Sequence, residues 1–362
     1  MNTEDKNSLY SQNLNFYTKY SSLGASSRYR TLQYLPFLPT TVNYRVEPLF
    51  DDSYLKSLYQ NKKKPLFNAL NCYLKRLVNL TELPQSPSLI LENELWPYLP
   101  YKLEEAFLKE VKKLVLIYDD AIFHHYDQSK NPYLKANKNK IGRLMQRANS
   151  IIVGNSYLAE YANHWNSQVH IIPTVIDGSL YSRAKNYTNT SSKLMIVWVG
   201  SPATAHYLYS LASIWGDSWV QANTELVIIG ANDLKLPQGL TVKYIPWSSE
   251  TEITEIQNCD LGIMPLSDDP WSRGKCGFKL IQYMAAGLPC IASAVGANKE
   301  IIVNGETGFL VKTNAEWLLA LKEFYNEKYL LETMGRRARE RAFAKYTLQA
   351  TYQQWLNIIL DR

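Results

Sequence analysis

The chain has 362 residues, 46% of them apolar and 20% charged, and its 39 Lys and Arg against 33 Asp and Glu give a formal net charge of +6. That is globular composition at a length that suits two domains, and it excludes disordered, collagenous and disulfide-built chains. The cysteines Cys72, Cys259, Cys276 and Cys290 lack metal-ligand or CxxC spacing, so reduced thiols are expected.

The first thirteen residues, MNTEDKNSLYSQN, carry two acids and no apolar core, which argues against a signal peptide. No apolar run approaches the roughly 20 residues that a spanning helix needs. A cytoplasmic protein, at most peripheral on the inner face of a membrane, is the expectation. A first strand is read at LNFYT (14–18). Short apolar runs, each followed by a helix-like segment, then recur at SLILEN (88–93), KLVLIYDD (113–120), SIIVGNS (150–156) and VHIIPT (169–174). The rhythm resumes with KLMIVWVGS (193–201), ELVIIG (225–230), LGIMP (261–265), PCIAS (289–293) and TGFLV (307–311). Buried strands alternating with helices predict α/β structure with parallel sheets covered on both faces. Between the two series the polar stretch YSRAKNYTNTSSK (181–193) reads as a linker, which sets a boundary near residue 188. Helical spacing closes the chain at Leu348, Tyr352, Leu356 and Ile359.

Two doubly wound domains place the carboxyl ends of their strands about a central cleft, where such folds bind ligands. No GxGxxG follows any strand and no GxxxxGK[ST] occurs, against a dehydrogenase and a P-loop enzyme. The positive charge belongs to the first half: residues 1–190 hold 23 Lys and Arg against 16 Asp and Glu, and residues 191–362 hold 16 against 17. Lys62, Lys63, Lys64, Lys75, Arg76 and the run Lys130, Lys135, Lys138, Lys140, Arg143, Arg147 concentrate it. A solvated face and an attraction to an anionic membrane surface both fit. Nucleic acid is not expected, because no zinc-finger or RRM signature accompanies the charge.

Residues 260–311 are the most informative. A strand ends at Pro265, a loop carries Asp268, Asp269, Trp271 and Arg273, and a helix is predicted from Gly277 to Ala286 with Gly287 as its stop. A helix N-terminus carries roughly half a positive charge and favours acids. This one is preceded by Arg273 and Lys275 and carries Lys279 in its first turn. A bound diphosphate would reconcile these charges, and Gly274 and Gly277 would let the backbone approach it. The alternative is that Asp268 and Asp269 neutralise the cluster while Lys279 faces solvent.

The pieces IMPLSDDPWSRGKCGFKLIQYMAAGLPCIAS, AVGANKEII and NGETGFLV resemble the donor-binding region of retaining glycosyltransferases of family 4. Upstream, LGASSRYRTLQYLPFL (23–38), IYDDAIFHHYD (117–127), VGNSYLAEYA (153–162) and IPTVID (172–177) also fall where that family has equivalents. The resemblance implies GT-B architecture, two Rossmann-like doubly wound parallel-sheet domains facing a central cleft. It implies an acceptor-binding domain over 1–187, a donor-binding domain over 188–345, and a C-terminal helix, 346–362, packed on the first. It further implies sugar transfer with retention from a nucleotide-diphosphate sugar to a saccharide or lipid-linked acceptor, as in assembly of bacterial surface polysaccharide. No cofactor and no metal are expected.

Carried over by position, Gln282 stands where the family's E-x7-E pair has its second Glu, and Gly274 takes the place of the first. GKCGFK therefore reads as a subfamily variant in which Arg273, Lys275 and Lys279 supply charge to the leaving diphosphate. Cys276, Gly277 and Phe278 line the same donor segment. Gly200 and Ser201 close a strand near the donor, Pro246 and Trp247 resemble a wall for the base, and Glu300 resembles a late donor contact. Asp120 is expected at the sugar or acceptor, receiving the acceptor proton, with His124 or His125 assisting. Gly24, Ser26, Ser27, Arg28 and Arg30 form the loop expected beside the donor or acceptor. For Arg28, Arg30, the histidines and Trp247, ordinary surface or core roles are the competing readings. A GT-B sugar-nucleotide epimerase and a non-catalytic GT-B-like binding protein remain alternatives for the whole chain.

Overall fold

The computed structural model describes residues 12–61, 66–82, 88–187 and 192–361. Lys62, Lys63 and Lys64 of the basic set, and the expected boundary at residue 188, lie outside the described residues. The chain forms two compact units. The first takes the described residues up to Gly154 together with Leu158–Ile172 and those from Tyr352 on, and the second takes Asn155–Tyr157 and Pro173–Thr351. The units thus change over at Ile172, ahead of the polar linker, and again inside the last helix, Leu348–Leu360.

The first unit is built on six parallel strands, β1 (Gln12–Tyr20), β2 (Val42–Phe50), β3 (Ser88–Glu92), β4 (Lys113–Tyr118), β5 (Ser150–Val153) and β6 (Val169–Ile171). Their order is β2-β1-β3-β4-β5-β6. Ile90 in β3 sits opposite Phe16 on one side and Val115 on the other. Leu114, Val115, Leu116 and Ile117 of β4 are all buried, as a strand covered on both faces requires. Trp355 from the last helix closes one face, stacked on Tyr34 with ring centroids 4.7 Å apart. A buried ion triad also holds this unit, with Lys140 Nζ 2.6 Å from both Glu94 and Glu104. Burial works to raise the Glu104 carboxyl above the ordinary range, and the Lys140 ammonium opposes it.

The second unit repeats the plan with β7 (Leu194–Val199), β8 (Thr224–Ile229), β9 (Thr241–Ile245), β10 (Leu261–Met264), β11 (Cys290–Ser293) and β12 (Gly308–Val311). The order is β12-β11-β10-β7-β8-β9, again parallel throughout. The expected helix is found at Phe278–Ala285, and Gly287 follows it in the left-handed conformation at φ +91°. All four cysteines are free thiols. Among the described residues, no helix is long and apolar enough to cross a membrane.

Two strands escape the run-based reading, β2 and most of β9. Both are edge strands most of whose residues stay exposed or half-buried, so neither needs a continuous apolar run. In β2, Arg45 and Glu47 pair with each other, two residues apart and on one side of the strand.

Candidate functional site: a helix pole at the sheet reversal

The strand order fixes where a ligand site belongs in each unit. In the second sheet the chain runs outward from β7 through β8 to β9, returns beside β7 as β10, and then runs outward the other way. The loops after β7 and β10 therefore diverge, leaving the crevice at carboxyl strand ends where doubly wound sheets bind ligands. Gly200 and Ser201 follow β7, and the segment from Pro265 to Lys279 follows β10. The two are tied together by a 3.0 Å hydrogen bond between the Tyr207 and Ser272 hydroxyls.

The helix Phe278–Ala285 begins at this crevice in an unusual way. Its N-cap is Gly277 at φ +66°, no side chain caps it, and its first turn holds no acid. A Cβ on Gly277 would lie 2.3 Å from Ile301 Cδ1, so both backbone angle and space call for glycine. Lys275 and Lys279 are half-buried, with Nζ 4.8 Å from the Trp271 ring centroid and 5.7 Å from that of Trp198, respectively. Aromatic faces attract an ammonium and hold it in place.

The three expected cations do not share one environment. Arg273 is exposed, and its Nε donates to Asp268 Oδ1 at 2.7 Å. That pair holds the Asp268 carboxyl below the ordinary range. Asp269 caps the short helix Pro270–Arg273, accepting from the Ser272 amide and hydroxyl at 2.8 and 2.9 Å. The neutralising role weighed for the aspartates thus applies at Arg273.

Two asparagines that the sequence reading passed over shape this pole. Asn155 is 1% exposed, and its Nδ2 donates to the carbonyls of Gly274 and Lys275 at 3.1 and 3.0 Å. Asn298 is equally buried, and its Nδ2 donates to the carbonyls of Ser293 at 2.9 Å and Met264 at 3.5 Å, at the ends of β11 and β10. That fixes the orientation of the amide. Its Oδ1 has no hydrogen-bond partner among the described residues, and it lies 3.7 Å from where a Cβ on Gly277 would stand. A buried acceptor without a donor costs about 1–3 kcal/mol.

The remaining donor-side residues divide. Cys276 is buried beside Asn155, Phe278 is half-buried, and Gln282 is 3% exposed within the helix. At Gly200 a Cβ would meet the Trp198 indole at 2.4 Å, so packing by itself already calls for glycine there. Pro246 and Trp247 follow β9, and the exposed Trp247 ring is oriented by its Nε1 donating to Glu252 at 2.9 Å. Glu300 is exposed, and its carboxylate accepts from the Ser156 hydroxyl.

In the first unit the reversal lies between β1 and β3. The expected loop is instead a short helix, Ala25–Arg30, with Gly24 as its N-cap; it follows β1 there and is held down by carboxylates from neighbouring strands. Ser26 donates to Asp119, just past β4, and Ser27 and Thr31 donate to Glu92 at the end of β3. Burial drives the Glu92 carboxyl above the ordinary carboxylate range despite these donors. Arg30 is 4% exposed and donates to the carbonyls of Ile172 at 2.6 Å and Tyr118 at 3.4 Å, so this guanidinium braces main chain inside the unit. Arg28 is half-buried, with NH1 donating to Ser22 O at 3.3 Å and its guanidinium 4.8 Å from the Tyr29 ring centroid. Asp120 is half-buried, His124 Nδ1 lies 2.9 Å from Asp127, and the His125 ring lies 6.2 Å from that of Tyr98. Lys19, at the end of β1, was missed. Burial disfavours its charge, yet Tyr20, Asp119 and Asp120 hold the ammonium above its ordinary range.

Two six-stranded parallel sheets, each reversing about its first strand, make this a GT-B fold. Residues 193–327, which hold all six strands of the second sheet, match the family model described as Glycosyl transferases group 1. The structure of Anabaena HepE in complex with UDP superimposes with a TM-score of 0.69, covering 97% of this chain and 100% of that one at 13% identity. Sucrose-phosphate synthase from Thermosynechococcus elongatus gives a TM-score of 0.68 over 95% of this chain and 97% of that one, at 14% identity. N-acetyl-alpha-D-glucosaminyl L-malate synthase of Bacillus anthracis is 31% identical over 87 residues, which is 24% of this chain and 23% of that protein. The match thus spans about a quarter of that relative's length.

Proposed function

We propose that the protein is a glycosyltransferase that moves a sugar from a nucleotide-diphosphate sugar to a saccharide or lipid-linked acceptor, with retention and without a metal. The observation that carries this is the pole at Gly277: a helix start at the sheet reversal with neither acid nor cap, flanked by Lys275 and Lys279. A positive pole with two added ammonium groups suits a ligand carrying dense negative charge. Breaking the anomeric C–O bond leaves that charge on the diphosphate, so stabilising the leaving group is the main chemical task. Lys275, Lys279 and the main chain at Cys276 to Phe278 perform it, with Gln282 as a hydrogen-bonding partner for the ribose. Trp247 and Pro246 offer a face to the base. Asp120 receives the acceptor proton, and the first unit supplies the acceptor surface. That HepE has been crystallised with UDP and with UDP-glucose supports a uridine donor here.

A thermal-shift panel of UDP, GDP, ADP and dTDP tests the reading. One of them is expected to raise the melting temperature, as ligand binding to the folded state must. A flat response to all four would reject the nucleotide site. Incubation of labelled UDP-sugars without acceptor separates transfer from epimerisation, because an epimerase turns over unaided.

A further inference from the structure

The helix Leu66–Thr81 in the first unit carries apolar side chains on two sides. Its inward side mixes polar and apolar groups: Ala69, Cys72 and Tyr73 pack against the cluster of Leu49, Phe50, Tyr54 and Leu55, Leu80 is buried, and Arg76, 2% exposed, donates to the carbonyls of Thr18 and Glu47 at 2.9 and 3.0 Å. Its outward side carries Phe67, Leu70, Leu74, Leu77 and Val78, exposed by 82, 56, 54, 39 and 54%. At 100° per residue these five fall on one face. A water-soluble surface has no use for such a stripe, and apolar stripes of this size mark interaction sites.

The charges around it select the occupant. The helix contains no Asp or Glu, Lys75 is exposed on the flank of the stripe, and Lys56 is exposed on the preceding helix, Asp52–Asn61. Glu82, just past the helix end, is already paired with Arg45 at 3.3 Å. In the sequence, Lys62, Lys63 and Lys64 come shortly before the helix. A second copy would bring lysine against lysine with no carboxylate on either helix to receive them. An anionic bilayer offers both an apolar layer for the stripe and phosphates for the lysines. We infer that the helix Leu66–Thr81 lies in the plane of an anionic membrane surface, its Phe67–Val78 stripe immersed at the headgroup boundary and Lys75 on lipid phosphate. Its 16 residues give a helix about 24 Å long, which suits lying along the interface. The inference stands apart from the nucleotide site and does not depend on it.

Sedimentation of the full chain with vesicles tests it, comparing phosphatidylcholine containing phosphatidylglycerol with phosphatidylcholine alone. The protein is expected to sediment with the anionic vesicles and to be released by salt. Replacing Leu70→Ser together with Leu74→Ser is expected to weaken partition roughly tenfold or more while changing the melting temperature little, because both side chains are more than half exposed in the free protein. Lys75→Glu should weaken it further in anionic vesicles. Supernatant protein in both lipids, equal sedimentation with phosphatidylcholine alone, or full binding by the double serine variant would each overturn the inference. So would a dimer in solution that the double variant dissolves, because the second copy would then own the stripe.

Discussion

The carboxamide of Asn155 holds Lys275 by its main chain: one Nδ2 donates to the carbonyls of Gly274 and Lys275, at 3.1 and 3.0 Å. Residue 155 sits just past β5, yet Asn155–Tyr157 belong with the second unit. This amide sets the path of the turn that presents Lys275 and Gly277. Asn155→Ala leaves two inward-facing carbonyls without their donor, and about 1–3 kcal/mol of folding stability should go. Urea unfolding of the variant reads the loss. UDP affinity should fall with it, because the turn no longer has one position.

Gly277→Ala separates backbone strain from crowding. A residue with a Cβ pays about 1–2 kcal/mol in the left-handed region, and the new methyl also meets Ile301 Cδ1. Adding Ile301→Val removes that methyl and should restore the crowding part only. A double variant as stable as the parent would show that the φ of +66° is not required.

Lys275→Ala and Lys279→Ala should each weaken UDP binding roughly tenfold, the usual effect of losing one charge-assisted contact to phosphate. Arg273→Ala should change it much less, because this exposed side chain is engaged by Asp268. Isothermal titration of the three variants ranks them, and equal losses for all three would place Arg273 back among the phosphate ligands.

Glu92 carries a pH signature. Its folded carboxyl is raised above the ordinary 4.5 by burial, so the folded state holds the proton more tightly than the unfolded chain does. The stability this adds is fully present below pH 4.5 and is lost as pH rises through the higher folded value. Glu92→Gln cannot ionise. Unfolding free energies compared from pH 4.5 upward should therefore show the parent losing ground to the variant.

The central strands were legible because they are covered on both faces, which demands apolar runs such as KLVLIY and LMIVWV. The edge strand β2 was not, since exposure lets Arg45 and Glu47 stand where a central strand needs apolar side chains. At the site, the sequence pointed to Lys275 and Lys279 through their offence against helix-pole charge preference. It could not separate Arg273 from them, because the Asp268 pairing depends on how the loop folds. Asn155 and Asn298 left no signal. An asparagine is ordinary in any loop, and only burial against carbonyls from distant strands gives it a role.

By itself, then, the order of residues determined two parallel α/β sheets, the left-handed stop at Gly287, and a cationic helix start, since each follows from local sterics or charge. Tertiary structure decided the rest. Arg30 became a brace for main-chain carbonyls, Ser26 and Ser27 became clamps on Asp119 and Glu92, and Asn298 Oδ1 was left without a donor among the described residues. These depend on which chain segments meet when strands from far apart in sequence pair, and no local rule of spacing encodes that meeting.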